Sequence, residues 1–222
     1  MRICTFRNSS HSQYMELTII SSILATVLAA LLIWTIQSVL WPRIKRTGTL
    51  VSDPTYENPY PKDGTRAFPY SVRFLRTLIT AKIGKLQGCY GEVHIESIEG
   101  EHFDSPGLLH WMRQPRGGIG HPLALHENIK TPEDARDHMY SYHFSENTPV
   151  DILHGASDKI DLLMKIQNLD YAITTVSRES RIPPGIYILH FTLHSPSLSA
   201  PIHKNWRVEI TSMDIRFQSE VF

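Results

Sequence analysis

The pattern of apolar positions changes once along the chain, from a continuous run near the N-terminus to strict alternation in the remainder. The run extends from Leu17 to Trp41 and contains no Asp, Glu, Lys, Arg or His, and its polar residues are Thr, Ser and one Gln. About 20 helical residues cross a bilayer core about 30 Å thick, and the run exceeds that length. The pattern predicts a transmembrane helix within residues 15–42, preceded by a short tail of residues 1–14.

Two other structures produce similar apolar runs, and the details of this one argue against both. A signal peptide has an apolar region of about 7–15 residues with small residues at its cleavage site. Here the small residues lie in the middle of the run, and Trp41-Pro42 ends it. A buried helix of a soluble domain normally has a polar face, which this run lacks. We therefore expect a membrane helix that is retained in the mature protein.

Aromatic and basic residues at the end of the run are suited to the membrane surface. Trp34 and Trp41 match the aromatic belt at the boundary between hydrocarbon and water. Arg43, Lys45 and Arg46 follow within a few residues, and such basic groups attract anionic headgroups. Membrane lipid is accordingly an expected partner. The small residues within the run permit close helix approach, so a homo-oligomer formed through the helix is also expected.

The flanking charges predict the orientation of the helix. The C-terminal flank has three nearby basic residues, whereas the N-terminal flank has two more distant arginines and Glu16. Because the more positive flank tends to stay in the cytoplasm, we expect a single-pass cell-membrane protein with its C-terminal part in the cytoplasm. A start at Met15 would remove both N-terminal arginines and strengthen this bias. In the full chain with this orientation, Cys4 and Cys89 are expected on opposite sides of the membrane, where they cannot pair.

Beyond the helix, the pattern predicts a linker followed by a β domain. Residues 43–69 begin with the basic group and continue with a proline-rich stretch, so we expect an extended juxtamembrane linker. Residues 70–222 then alternate between apolar and polar positions, which is typical of strands with one buried face. The clearest alternation lies in residues 89–96, 160–166 (where Leu163 is an apolar exception), 187–194 and 206–211. Weaker strands are expected in residues 72–78, 108–112, 150–154, 171–176 and 213–217.

About eight short antiparallel strands predict a mainly β fold, an antiparallel β-sandwich preceded by one transmembrane α-helix. Two facing sheets would bury every apolar strand face, which a single sheet would leave exposed. The residues expected in this core are Phe74, Cys89, Val93, Ile95, Trp111, Ile152, Leu162, Met164, Tyr187, Leu189, Phe191, Trp206 and Val208.

A long irregular insertion, residues 113–149, interrupts the strands and contains one predicted helix. Thr131 is suited to the N-cap, Pro132 to the first helical position, and two acidic residues occupy the first turn. The helix should continue to Met139 or Tyr142. Because long excursions from a sandwich often carry function, this insertion is the expected functional surface.

The order of these features resembles bacterial membrane-anchored proteins that carry immunoglobulin-like sandwiches. The similarity rests on the strand GCYGEVHIESI, a leucine-tryptophan strand after it, and the late strand RIPPGIYILHFTL, and it covers Tyr70 to Phe217. The chain differs from antibody-type domains because it has no second cysteine to pair with Cys89. The resemblance implies that the antiparallel β-sandwich is immunoglobulin-like, and it implies no activity.

Histidine is over-represented among the reactive residues of the chain, with twelve in all. The insertion and the residues just before it contain His110, His121, His126, His138 and His143, but no HExxH or CxxC spacing is present. Scattered surface histidines are the expected arrangement, with no metal site. His94, His190 and His194 fall on the polar faces of predicted strands, where solvent exposure and a modest pH response are expected.

The glycine-rich segment RQPRGGIGH begins at Arg113 and is the best candidate for an anion or partner contact. Arg113 and Arg116 would make that contact. The segment fits neither a P-loop nor a dinucleotide-binding loop, so we expect a loop without a cofactor. The net charge of zero argues against nucleic acid as a partner.

Three functions remain open from the sequence. The preferred one is a non-catalytic interaction or sensor module held at the membrane, because no catalytic motif is present and a protein partner suits a sandwich. The second is an oligomerising membrane effector that ligand binding to the sandwich would gate. The third is a metal-dependent enzyme that uses the histidine-rich insertion. On the preferred reading the chain is not an enzyme.

Overall fold

The structure is a computed structural model that describes residues 9–41, 44, 48–60, 69–103, 107–112, 129–142, 148–177 and 179–221. The chain divides into two compact units, Met1–Ile44 and Lys45–Phe222. The first unit contains a long apolar helix and the second contains two antiparallel sheets. The predicted fold class, mainly β with one N-terminal apolar helix, is confirmed.

The first unit consists of helix α1 (Ser9–Thr35) and a π-helical turn (Ile36–Leu40). Its segment Ile20–Leu40 has a mean hydropathy of 2.2, none of it buried, and is long and apolar enough to cross a membrane. A signal sequence near an N-terminus would meet the same criteria of length and apolar composition. The hydroxyls of Thr26 and Thr35 donate to the carbonyls of Ser22 and Leu31 at 2.9 and 2.7 Å, so the helix itself satisfies them.

The second unit contains two five-stranded antiparallel sheets. The first has the order β1-β3-β6-β7, with β2 beside β1 on the same edge of β3. Its strands are β1 (Thr49–Val51), β2 (Thr55–Tyr60), β3 (Val72–Ala81), β6 (Ser157–Ile166) and β7 (Ile173–Thr174). The second has the order β10-β9-β8-β4-β5. Its strands are β4 (Leu86–Ser97), β5 (Val150–Ile152), β8 (Gly185–His194), β9 (Ile202–Ile210) and β10 (Ile215–Val221).

The main core lies between the two sheets and has the composition that alternation predicts. It includes Trp111 and Trp206, both fully buried, and the ring of Phe191 stacks on Trp206 with centroids 5.4 Å apart. Gly91 of β4 faces this core, where an added Cβ would lie 2.4 Å from Cδ1 of Ile160. The glycine is therefore required by the close approach of β6. All the predicted core residues are buried.

A second apolar cluster lies on the opposite side of the first sheet, and two predicted core residues belong to it. Phe74 and Met164 pack there with Ala135 and Met139 of helix α2 (Pro132–Tyr142). Leu75, the neighbour of Phe74, points into the main core instead. The expectation that Phe74 and Met164 fill the space between the sheets is therefore wrong, because both faces of this sheet are covered.

A β-bulge in β6 explains why the alternating apolar residues of this strand are divided between the two cores. Leu163 pairs with Leu75, whereas Asp161 pairs with Arg76, so Leu162 is an extra residue on β6. Leu162 and Leu163 both pack in the main core, and Met164 packs in the second cluster. The broken alternation at Leu163 is the trace of this bulge in the sequence.

Two other segments differ from expectation and one agrees with it. The expected linker, residues 43–69, contains β1 and β2, which pair with β3, so this part of the chain belongs to the first sheet. Residues 108–112 form an isolated bridge through Trp111 rather than a strand. Helix α2 is confirmed, because the hydroxyl of Thr131 accepts from the amide of Asp134 at 3.1 Å and the Asp134 carboxylate accepts from the amide of Thr131 at 2.9 Å.

Candidate functional site

The outer face of the second sheet presents a group of histidines among carboxylate, amide and aromatic side chains. Alternation along β4, β8 and β9 sends one set of residues into the core and the other set outward. We call this surface the histidine face; its histidines are His94, His102, His190, His194 and His203. The sequence predicted the outward placement of His94, His190 and His194, and the structure confirms it.

The centre of the histidine face is a row of three imidazoles across the strands. His94 on β4 lies directly opposite His190 on β8, and their ring centroids are 5.7 Å apart. On its other side, Nε2 of His94 lies 3.2 Å from Nδ1 of His102, with the ring centroids 5.1 Å apart. Neutral imidazoles at this spacing share one proton, and the tautomer decides which ring donates.

Carboxylates and amides hold the other rings of the face. The ring of His190 lies between the Glu96 carboxylate, 3.2 Å from its Nε2, and the side-chain oxygen of Asn205, 2.9 Å from its Nδ1. Nε2 of His194 lies 3.2 Å from the Glu92 carboxylate. These contacts place imidazoles and carboxylates side by side on the same face.

A tight turn after β4 fixes the position of His102. The hydroxyl of Ser97 accepts from the amides of Glu99 and Glu101 at 3.3 and 2.9 Å, and the amide of Gly100 donates to the carbonyl of Ser97 at 2.9 Å. Gly100 has φ of +89°, a conformation that side chains disfavour. The chain then returns so that His102 bridges to Glu96. The turn therefore places His102 beside His94 through backbone geometry.

A cleft of about 280 Å³ lies at the end of the histidine face. Tyr90 and His194 form one wall, with their rings stacked at a centroid distance of 4.6 Å and an interplanar angle of 8°. The loop between β8 and β9 supplies the other wall, with Pro196, Leu198 and Pro201. The cleft is thus lined by two stacked rings, by apolar side chains and by the polar residues Ser195 and Ser199.

A buried ionic network occupies the first sheet beside the second apolar cluster. It consists of Arg76, Asp161, His110, Glu57 and Lys159. The Arg76 guanidinium donates from Nε to Asp161 and from an Nη to Glu57 at 3.1 Å, and Lys159 contacts the same Glu57. Nδ1 of His110 lies 3.1 Å from the other oxygen of Asp161. The Asp161 side chain is 2 % exposed, so its charge depends on these partners.

The charges of the network oppose the effect of burial on their pKa values. Burial disfavours the charged form of Arg76, but Asp161 and Glu57 outweigh it and raise the pKa of the guanidinium. Burial alone would raise the pKa of Glu57, yet Lys159 and Arg76 hold it below its usual value. The network ties β2, β3 and β6 together with the segment that contains His110, which is a structural role.

A second ionic group lies where β3 and β6 face the turn between β9 and β10. Nη1 of Arg73 lies 3.4 Å from the Asp214 carboxylate, and its guanidinium stands over the ring of Tyr56 at 5.8 Å. Burial, and then Asp214, raise the pKa of the Tyr56 phenol.

Lys165 is 2 % exposed, and burial lowers the pKa of its ammonium group. Nζ of Lys165 donates to the carbonyl of Tyr171 at 3.2 Å.

The structure locates only part of the site expected from the sequence. Arg113 and Arg116 lie outside the described residues, as do Arg43, Lys45 and Arg46. Trp34 and Trp41 are 61 % and 47 % exposed on the apolar helix.

Within the described part of the chain, no group of three or more His, Cys, Asp or Glu side chains converges as a metal site would. Cys89 is buried in the core, and burial raises the pKa of its thiol to about 11.

Sequence reasoning missed the buried ionic network and the row formed with His102. Arg76 and Asp161 are far apart in the chain, and each occupies an outward strand position that is usually solvated. The one signal was the loss of alternation at Leu163, which marks the bulge beside Asp161. His102 follows the strand, so its return beside His94 depends on the turn and not on the strand period.

Comparisons with known proteins give little further information. No family model matches the chain, and no curated protein matches it. A solved structure that matches is described as a family 123 glycoside hydrolase from Clostridium perfringens that hydrolyses glycolipid glycans. The match has 10 % identity and a TM-score of 0.35, and covers 63 % of this chain and 21 % of that one. This chain thus spans about a fifth of the length of its structural match.

The prediction that the chain is not an enzyme rested on the lack of recognisable motifs, which is a poor guide where catalytic residues converge from distant parts of a chain. The solved structure that matches is that of a hydrolase, so this prediction is not retained. At a TM-score of 0.35 the likeness carries no argument about this chain's own chemistry. Neither a reaction nor the absence of one is assigned.

Proposed function

We propose that the chain is a single-pass membrane protein whose immunoglobulin-like sandwich binds a protein partner through the histidine face. The N-terminal helix serves as a retained anchor, and the sandwich lies in the cytoplasm. The observation that carries the proposal is the contrast between the two sheets. Helix α2 of the same chain covers the outer side of the first sheet, whereas the described part of the second sheet presents the polar histidine face.

The apolar helix supports the anchoring part of the proposal. Its side chains from Ile20 to Leu40 are exposed, so burial against other described residues does not account for its hydropathy. Inside a bilayer each hydroxyl needs a partner, and those of Thr26 and Thr35 have carbonyl partners in the preceding turn. Trp34 and Trp41 then occupy the interface, and the basic residues after them favour a cytoplasmic location for the sandwich.

The side chains of the histidine face support the binding part. Their stacked and hydrogen-bonded rings are held in place before any partner arrives, which reduces the entropy lost on binding. The stacked rings of Tyr90 and His194 border the cleft, and aromatic side chains are enriched in protein interfaces. A partner with both acidic and basic side chains would complement the mixture of imidazoles and carboxylates.

The anchor is tested on the full-length protein by carbonate extraction and by the mass of its N-terminus. A retained anchor predicts that the protein stays in the membrane pellet and that residues before Ile20 remain attached. Protease added to intact cells should leave the sandwich uncut, whereas disrupted cells should lose it. Release of a chain that lacks the helix would overturn the anchor, and cleavage in intact cells would overturn the orientation.

The binding face is tested by crosslinking in membranes with the parent protein and two charge variants. Thr192→Arg places a long cation in the centre of the face, between Glu92 and His203, and should abolish the crosslinked complex. Glu179→Arg introduces the same side chain at an exposed loop position outside the face and should leave it unchanged. Equal crosslinking in both variants would exclude the histidine face as the binding surface.

A further inference from the structure

We propose that His94 and His102 bind one divalent transition-metal ion of the zinc class between Nε2 of His94 and Nδ1 of His102. The site goes beyond the partner proposed above and stands or falls independently of it. It rests on the distance between the two nitrogens, on the backbone that sets that distance, and on the charge beside them.

The spacing of the two nitrogens matches that of two ligands on one ion. Imidazole nitrogens lie about 2.0–2.1 Å from zinc, so two of them in a tetrahedral shell are about 3.3 Å apart. The observed distance between Nε2 of His94 and Nδ1 of His102 is 3.2 Å. Small rotations about the side-chain bonds would turn both lone pairs toward a shared ion without moving the backbone.

Metal binding does not require the two rings to lose a proton. Without metal, one ring donates a proton to the bare nitrogen of the other. On metal binding, the donor ring carries its proton on its remaining nitrogen, so both rings coordinate as neutral imidazoles and no proton needs to leave. The remaining coordination positions belong to water.

The backbone holds both ligands before the metal arrives. His94 lies within the paired region of β4 and β8. The segment that carries His102 pairs back onto β4, because the amide of Phe103 donates to the carbonyl of Ile95 at 2.8 Å and that of Ser97 donates to the carbonyl of Glu101 at 2.8 Å. A site built on such backbone loses little conformational entropy on binding.

Neighbouring groups favour a cation at this position. Glu96 is adjacent to both ligands, since it bridges to His102 and follows His94 on the same face. His190 lies on the other side of His94, and its imidazole is the nearest candidate for a third ligand if its ring turns away from Glu96. Two side chains form a weaker, more open site than the four-ligand cages of structural zinc.

The test is a titration of the metal-stripped full-length protein in detergent with zinc chloride at pH 7.5, followed by calorimetry. We expect one saturable site per chain that His94→Ala and His102→Ala each weaken at least tenfold. His203→Ala removes an imidazole from the same face, where it contacts Thr192 instead, and should bind zinc as the parent does. The matched control is needed because the chain contains twelve histidines.

Two further readouts separate coordination from nonspecific attraction. Copper should compete more strongly than zinc, as the order of divalent affinities requires, and binding should weaken at pH 5.5 because protons compete for the ring nitrogens. His102→Gln preserves size and should weaken zinc binding as the alanine variant does, while leaving the thermal unfolding curve unchanged. Parent protein that binds no zinc, or a His203→Ala variant that loses as much as His94→Ala, would overturn the site.

Discussion

The outer sides of the two sheets differ although both sheets arise from the same alternation. The first sheet is covered by α2 and buries a second apolar cluster and an ionic network. The second sheet exposes imidazoles and carboxylates beside its strands. Under the proposed function the two sheets have separate roles: substitutions on the outer side of the first should cost folding energy, whereas those on the outer side of the second should change binding.

Removal of the central carboxylate of the ionic network should have the largest effect. Asp161→Ala leaves the buried Arg76 without its nearest counter-charge, and breaking such a pair costs about 3–5 kcal/mol. The measurement is chemical denaturation of the full-length protein in detergent, followed by tryptophan fluorescence. Glu92→Ala removes a carboxylate from the histidine face and should change the free energy of unfolding by less than about 0.5 kcal/mol. Equal losses of unfolding free energy in the two variants would show that the outer sides of the two sheets contribute alike to stability.

Truncation of the second apolar cluster should have the next largest effect. Met139→Ala leaves a cavity between α2 and the first sheet, with an expected loss of about 2–5 kcal/mol. Met213 is 74 % exposed, so Met213→Ala makes the same chemical change at a solvent position and should cost less than about 0.5 kcal/mol. If Met139→Ala were as mild as its control, α2 would not be part of the folded core.

An added methyl group at Gly91 should test how closely the two sheets approach. Gly91→Ala forces a Cβ against Cδ1 of Ile160, and overpacking of this kind costs about 1–3 kcal/mol. Ile160→Val removes that terminal methyl group, so the double variant should recover part of the loss in the same denaturation assay. Additive losses in the double variant would show that Ile160 is not the obstacle.

Acid should weaken the first sheet through Glu57, with the smallest of these effects. Lys159 and Arg76 hold the pKa of Glu57 below its usual 4.5, so the folded state binds its proton less readily than the unfolded state does. The resulting stability is complete above the unfolded pKa and is lost as pH falls through the folded pKa. The denaturation midpoint should therefore fall with pH below about 4.5, and Glu57→Gln should flatten that slope. An unchanged slope would assign the acid response to other groups.

Most of the sandwich was predictable because its strands have one apolar and one polar face. Alternation identified the buried residues of β4, β8 and β9, and the end signals of α2 identified the helix. Alternation does not say what covers an outer face, which is why Phe74 and Met164 were assigned to the wrong core. The prolines near β2 concealed an edge strand, where the missing amide of a proline costs no pairing.

The candidate site was predictable only in outline. The outward histidines of β4 and β8 followed from the strand period, but their pairing with His102 depends on the turn at Gly100. The ionic network depends on two contacts of Asp161. One is with His110, 51 positions away in the sequence, and the other is with Arg76, 85 positions away. Residues this distant in sequence meet only through the fold.

The bulge in β6 also decides where this strand can lose a residue. Leu162 and Leu163 face the same core, so removal of Leu162 would leave a regular strand in which Asp161, Leu163 and Met164 keep their present faces. Removal of Lys165 would instead exchange the faces of the residues after it, and Ile166 would leave the cluster beneath α2. Relatives of this chain are therefore expected to vary in length at the bulge more readily than elsewhere in β6.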